Sequence, residues 1–296
     1  MEESLFTMSN KIPLAIPHVE PGPSSARPAL HPESDEEWAV AAAPGRAADK
    51  GASAVERVLA VFEVFHRVQR PLSLTELARL ADMPKSSCHA IVKTLAARGH
   101  LYRLQRPRAI YPTRRLYDLT REIHANDPLV ERVVPLLERL RNTSQETVIL
   151  GKQQGEAVIY LQVLESPNPI RYSTRPGEFK PLHASATGTA LLGGLKDAAL
   201  ATSLAALPLP RVTPRTLTDP RRLAEDIAES RRRGYYVTRG ENVPDVWAVS
   251  TALALDGQTL AVAIAGPRHR MEARVVECAQ LLLATCGLIT RQWETG

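Results

Sequence analysis

The sequence predicts an α+β chain in two parts. Three short helices and a β-hairpin come first, and a larger domain of helices outside a mostly antiparallel sheet follows. Three observations carry this. Helix-start signals at Ser53, Ser73 and Pro84 crowd three helices into about 50 residues. Short β-prone runs then recur between helical ones, and two of them flank Asp256-Gly257, a strong hairpin signal. The basic surplus is confined to one segment: residues 51–125 carry a net +7, against −4 for 1–50 and +2 for 126–296.

Residues 1–50 hold seven prolines and nine alanines with no sustained period, and they read as a disordered tail. Order begins at Ser53-Ala-Val-Glu56, a capping box in which side chains satisfy orphan backbone donors. Behind it Val55, Val58, Leu59, Phe62 and Phe65 share a helical face. A second box, Ser73-Leu-Thr-Glu76, opens a helix with Leu77, Ala78 and Ala81 on one face. Pro84 suits the first turn of the third helix, where its missing N–H costs nothing, and Gly99 suits its stop. Leu101–Leu104 and Ala109–Tyr111, joined by Gln105-Arg-Pro-Arg108, form a hairpin. Leu116, Leu119 and Ile123 mark a helix leading out. The chain thus divides into a tail (1–50), a winged helix-turn-helix domain (51–112), a linker helix (113–126) and a domain from 127 to 296.

In that last domain Asp127-Pro128 starts a helix carrying Leu129, Val130, Val133, Leu137 and Leu140, which Pro135 is expected to kink or split. Strands are predicted at about 147–152 and 157–164, and another near 170–174. Helices are predicted near 185–194 and 197–206 and from Pro220 to Arg233, the last with Asp219 as cap and Gly234 as stop. Strands near 246–254 and 259–265 make the second hairpin. A final helix runs from about Met271 with Val275, Val276, Ala279, Leu282 and Leu283 on it.

Composition excludes several classes. Cys88, Cys278 and Cys286 make no C-x-x-C pair, which argues against a disulfide framework and a structural zinc site. No apolar run approaches the ~20 residues that span a bilayer. Glu2 and Glu3 stand where a signal peptide needs positive charge. The expectation is a cytoplasmic protein with no cofactor, no metal and no membrane partner.

The concentrated positive charge is the footprint of a polyanion-binding module, although an Arg-rich solvated surface gives the same count. The third helix decides for double-stranded DNA. On a helical wheel Cys88, Ile91, Val92 and Leu95 point inward. Ser86, Ala90, Lys93 and Ala97 point outward with His89 at the flank, and Lys85, Ser86 and Ser87 fill the first turn. Polar residues at the start and small residues outward let a helix enter a major groove about 12 Å wide. Ser73 and Thr75 at the second helix's start are candidates for phosphate, and Arg103, Arg106 and Arg108 in the wing for backbone or minor groove.

Three segments carry a resemblance. They are Leu77-Ala78 through Pro84-Lys85-Ser86-Ser87-Cys88-His89 to Leu95; Gly177-Glu-Phe-Lys-Pro181-Leu182-His183-Ala184-Ser185-Ala186-Thr187-Gly188; and Gly234-Tyr235, Glu241 and Ala265-Gly266-Pro267. In this order and at these separations the chain, from about residue 52 onward, resembles the IclR family of bacterial transcription regulators. The resemblance implies a winged helix-turn-helix head, a linker helix and a GAF-like effector domain. It also implies dimers that commonly pair into tetramers, and control of an operator-binding regulator by a small molecule; repressors and activators share this architecture, and repression is the favoured sign. Matched positions make Gly177, His183, Ala184, Ser185, Glu241, Asp245, Ala248, Ala263 and Ala265 the effector-site candidates.

The chain departs from the family pattern at informative places. The arginine that often follows the recognition-helix histidine is Ala90, which favours an alternative: a ligand-binding or interaction module with a weakened, non-specific head. Gly240-Glu241 stands where Glu-Glu is frequent, and Asp245 where glycine is common. A common cysteine is Ala248, and two frequent serines are Ala263 and Ala265. In relatives that bind small carboxylates those side chains supply hydrogen bonds. Burying a carboxylate without donors costs roughly 2–7 kcal/mol per unsatisfied group. A small 2-oxo acid bound in the usual way is therefore not expected; the open alternatives are a more apolar or aromatic effector, backbone donors near Ala184, or no ligand at all.

The chain reads as no enzyme. Ser185 has no G-x-S-x-G elbow, and no H-E-x-x-H or P-loop occurs. Ser185 reads as a helix cap and His183 as part of a lid. Glu241 and Asp245 stay open between pocket border, metal ligand and solvated surface.

Overall fold

The computed structural model describes residues 54–106 and 108–295. The tail, Ser53 with its capping box, and Pro107 in the wing lie outside the described residues.

The first part is a winged helix-turn-helix. Helices α1 (Ala54–Val68), α2 (Leu74–Leu80) and α3 (Lys85–Ala97) precede strands β1 (Leu101–Leu104) and β2 (Ala109–Pro112), which pair antiparallel from Leu101↔Pro112 to Leu104↔Ala109. The predicted box at Ser73 is complete: Glu76 N–H donates to Ser73 Oγ at 3.2 Å, and Ser73 N–H donates to the Glu76 carboxylate at 3.2 Å. Leu72 and Ile110 exchange backbone hydrogen bonds of 3.1 and 2.8 Å, so the wing is fastened to the residues before α2. Gly99, at φ +76°, lets the chain leave α3 for β1.

The core here joins Val61, Val64 and Phe65 of α1 to Leu72, Leu77, Cys88, Val92, Leu101 and Ile110. This corrects the expected face of α1. Phe65 is inside, but Val55 and Leu59 are 68% and 55% exposed. The helix is apolar on two sides, and periodicity alone does not say which side meets this core.

Helix α4 (Arg115–Ala125) buries none of its residues and leads to α5 (Pro128–Ser144), capped by Asp127, which accepts Leu129 N–H at 2.9 Å. Pro135 sits inside α5 without splitting it. A six-stranded antiparallel sheet follows, in the order β5-β4-β3-β8-β7-β6. Its strands are β3 (Thr147–Gln154), β4 (Ala157–Leu164), β5 (Phe179–Pro181), β6 (Tyr236–Arg239), β7 (Val246–Leu255) and β8 (Gln258–Pro267). Helices α6 (Ala186–Gly193), α7 (Asp197–Ala206) and α8 (Pro220–Arg233) fall between β5 and β6, and α9 (Arg268–Glu294) closes the chain. Asp256 and Gly257 have φ of +46° and +72°, as a type I′ turn requires. The α+β class holds throughout.

The two faces of the sheet bury different partners. Val148, Leu150, Val262 and Ile264 pack with α5 and α9, while Ile149, Tyr160, Ala261 and Ala263 pack with α6, α7 and α8. Strand alternation assigns each residue to its face. The predicted strand near 170–174 does not exist. That segment is a loop held by side chains: Thr147 Oγ1 donates to Tyr172 O at 2.6 Å, and Arg270 Nη2 donates to Ile170 O at 2.9 Å. The edge of β4 is taken by β5 instead, from Ala157↔Pro181 to Ile159↔Phe179. Strand β6 was not foreseen, and α9 starts three residues earlier than expected.

One described helix, α9, is long and apolar enough to cross a bilayer, contrary to the sequence reading. Its inner face is core, however, with Met271, Cys278, Ala279, Leu282, Cys286 and Ile289 buried against β7, β8 and α5. Arg274 and Glu277 form an ion pair on it.

Candidate functional site

Two places gather the predicted residues. The first is the outer surface of α3 with the wing. Cys88, Val92 and Leu95 are buried, so the opposite face is turned outward by geometry. Lys85, Ser86, His89 and Lys93 are exposed there, and Ser87 is half-buried. Arg103, Arg106 and Arg108 are exposed on the hairpin. His89, Arg103 and Arg108 come together along an open cleft of about 420 Å³ between α3 and the wing, floored by Val92, Ala109 and Ile110. Lys85, Ser86, Lys93 and Arg106 stand outside that cleft. Thr75 is exposed at the start of α2, whereas the Ser73 hydroxyl is already engaged with Glu76. A helix with two lysines, short polar side chains and no acidic residue, beside three arginines, is suited to a polyanion with a groove.

The second place lies against the sheet on its α6 side. Ser185 caps α6 as expected, accepting Gly188 N–H at 3.2 Å and donating to Pro181 O at 2.7 Å. In front of the cap is a narrow space of about 30 Å³ that opens to solvent. Four predicted residues line it: Ser185, Ala248, Ala263 and Ala265. Register explains the grouping. Thr238, Ala248 and Ala265 sit opposite one another across β6, β7 and β8, and Ala263 pairs with Ile149 of β3.

The other five candidates are not in that lining. Gly177 turns at φ +83° and donates its N–H to Tyr160 O at 2.7 Å, so it fixes the backbone of a lining residue. Ala184 is buried beside the cap. The Glu241 carboxylate accepts the Arg239 N–H, and burial pushes its carboxyl above the usual range. Asp245 is exposed, and its carbonyl accepts the Arg268 N–H at 2.8 Å. Among the described residues no group of three metal-ligating side chains occurs.

His183 is buried and lies with Nε2 2.9 Å from Pro210 O, which ties the 207–218 loop to the start of α6. Burial lowers its affinity for a proton below the ordinary histidine value. The unfolded chain therefore takes up this proton near pH 6.5, and the folded ring only at lower pH. Stability is expected to fall as pH drops below about 6.5. A His183→Gln variant should show a flatter dependence in urea titrations across pH 5 to 7, and an unchanged slope would refute this.

Sequence reasoning missed most of the cavity wall. Tyr160 and Tyr172 form one side, Thr187 the helix end, and Thr238, Asn242 and Val243 the other side. Thus the methyl positions face the cavity as expected, yet hydroxyls and an amide surround them. Tyr160 lies on the same face of β4 as Val158, a signal that alternation offered. Tyr172 and Asn242 sit on loops with no period to reveal them. Burial, and then the adjacent Tyr172 phenol, push the Tyr160 hydroxyl well above the usual phenol range, so it stays a neutral donor.

Known proteins share this fold. The IclR helix-turn-helix domain model matches residues 54–105, and the model for the C-terminal region of the bacterial transcriptional regulator IclR matches 122–291. The chain is 34% identical over 223 residues to the HTH-type transcriptional regulator BhcR of Paracoccus denitrificans, covering 75% of this chain and 80% of that one. It is 28% identical over 248 residues to the HTH-type transcriptional repressor AllR of Escherichia coli, covering 82% and 92%. The crystal structure of Thermotoga maritima IclR superposes with a TM-score of 0.70 at 21% identity, over 81% of this chain and 98% of that one. An IclR homologue of Microbacterium hydrocarbonoxydans complexed with 4-hydroxybenzoate gives 0.66 at 23%, over 82% and 100%.

Proposed function

Because this chain belongs to the IclR family of bacterial transcriptional regulators, we propose that its α3–wing surface reads an operator in double-stranded DNA while the cavity before α6 holds the controlling small molecule. The protein is a sequence-specific regulator of transcription. The reading of α3 rests on one observation above others: a helix buried on one face turns Lys85, Ser86, His89 and Lys93 outward beside Arg103 and Arg108. The functional boundaries follow, with the head ending near 112, a linker helix to 126 and the effector domain from 127. Repression is the favoured sign, in keeping with the name of the AllR relative. The site of action is the cytoplasm, and no catalytic step is assigned, since His183 and Ser185 are spent on a loop contact and a helix cap.

The test is fluorescence anisotropy with DNA from just upstream of the protein's own gene and an unrelated duplex, across a salt series. Tight binding to the first, with log K falling by about 0.9 per log salt for each neutralised phosphate, is the expected result. Equal, weak binding to both duplexes would overturn it.

The regulator acts as a homodimer at least, and the linker region is where the heads join. Leu59 on α1 and Tyr117, Leu119 and Ile123 on α4 are exposed apolar side chains, from 42% to 73% accessible. Apolar surface of this kind marks contact with a partner rather than solvent. Leu59→Glu with Ile123→Glu is expected to lower the mass seen by light scattering, or to weaken operator binding about tenfold through lost pairing of heads. A variant with parental mass and affinity would sink the assignment.

A further inference from the structure

The cleft between α3 and the wing is built of two unlike parts. Its floor is Val92, Ala109 and Ile110, all buried, and Leu74 and Leu104, both half-buried, also line it. Its mouth carries His89, Arg103 and Arg108, all exposed. No aspartate or glutamate lines it. None of the three mouth residues makes a hydrogen bond or ion pair to another described residue. The two guanidinium groups are charged at any working pH. Phosphates of a duplex satisfy such charges but bring nothing to cover the floor. Concave apolar surface is covered favourably by an apolar body. The cleft measures about 420 Å³, within the roughly 300–1,000 Å³ of small-molecule pockets.

We propose that this cleft is a small-molecule site in the DNA-binding head, separate from the cavity before α6, and that it takes a flat amphipathic monoanion whose presence excludes DNA from α3. The ring system of the ligand lies on Ala109 and Ile110, between Leu74 and Leu104. Its carboxylate or sulfonate meets Arg103 and Arg108, since guanidinium binds such groups through paired charge-assisted hydrogen bonds. A second negative charge on the ring would have to be desolvated against the floor, which is costly. The ligand occupies the same guanidinium groups that phosphates need, so ligand and duplex exclude each other. This control acts within the head and needs no signal from the effector domain. The inference rests on the reading of the α3–wing surface as the DNA-binding face.

The test uses 8-anilinonaphthalene-1-sulfonate, a fluorescent monoanion of this class, titrated into the full chain. Saturable binding is expected, and the operator duplex should displace the dye. Sulfate should displace it no better than chloride of the same ionic strength, because sulfate has no apolar body. Leu104→Gln is expected to weaken the dye about fivefold and to leave duplex affinity within about twofold. Arg103→Gln with Arg108→Gln should weaken dye and duplex alike, each about tenfold. Circular dichroism reports whether each variant folds, and the arginine pair, exposed on the hairpin, decides the matter if Leu104→Gln does not fold. The proposal is overturned if the dye does not saturate, if its affinity survives the substitutions in folded proteins, if it stays bound to a saturated duplex complex, or if sulfate displaces it better than chloride. Operator anisotropy on the same preparation keeps the two readings apart. Operator binding without cleft-dependent dye binding sinks this proposal alone. Cleft-dependent dye binding in a protein that binds no operator sinks the regulator reading, and the exclusion of DNA with it.

Discussion

Replacing Lys85 and His89 together by alanine is expected to lower operator affinity about a hundredfold while leaving the fold intact. Both side chains are exposed on the first turns of α3, and neither belongs to the core that holds the helix. A positioned base-edge contact contributes about 1–3 kcal/mol of discrimination. A lysine on phosphate adds affinity that is uniform across sequences and steepens the salt dependence by about one unit. Anisotropy of the variant should therefore show two separate changes, a smaller gap between operator and unrelated duplex and a shallower salt slope. The single variants assign them: His89→Ala should narrow the gap, and Lys85→Ala should flatten the slope. A double variant that binds within about threefold of the parent would show that α3 is not the reading element, and would shift the role to the wing arginines. Ala90 gives this measurement its point, because the head lacks the arginine that often follows the histidine and depends more on the residues it has.

The second large effect lies in the effector domain. Glu146 is 0% exposed, and Arg270 meets it with two hydrogen bonds, Nε to Oε1 at 2.6 Å and Nη2 to Oε2 at 2.8 Å. Gly266 lies so close that a Cβ there would come within 2.3 Å of the carboxylate. Arg274 also feels the Glu146 charge, but its guanidinium is engaged with Glu277 and the Ser144 carbonyl. Arg270→Ala would leave a buried carboxylate uncompensated, at a cost of about 3–5 kcal/mol. For a domain of this size that is a drop of about 10 °C in melting temperature. Glu146→Gln should cost less, since it removes the charge and keeps the shape. Urea unfolding of both variants checks the ranking, and an Arg270→Ala protein within about 1 kcal/mol of the parent would refute it. Arg270 also holds the Ile170 carbonyl, two residues from Tyr172 of the cavity wall. The same substitution is therefore expected to weaken effector binding.

These two cases differ in how much could be read beforehand. The recognition helix was legible because its signals are local. Pro84 opens it, Gly99 ends it, and Cys88, Val92 and Leu95 repeat at helical spacing. The Asp256-Gly257 turn, the caps at Ser73, Asp127, Ser185 and Asp219, and the stop at Gly234 were legible for the same reason. The Glu146–Arg270 pair was not, since 124 residues separate its members and nothing local marks either one.

The sequence by itself determined the local elements, their order and the inward face of α3. Each of these depends on a period of 3.6 or 2 and on caps a few residues away. Tertiary structure alone decided which side of a doubly apolar helix became core, leaving Val55 and Leu59 outside. It alone made a loop of 170–174 and a strand of Tyr236–Arg239, because a strand exists only where a neighbour offers a ladder, and β5 had filled the edge of β4. It also decided the cavity wall. Tyr160, Tyr172, Thr238 and Asn242 come from two strands and two loops, and only the closing of the sheet against α6 brings them around one space.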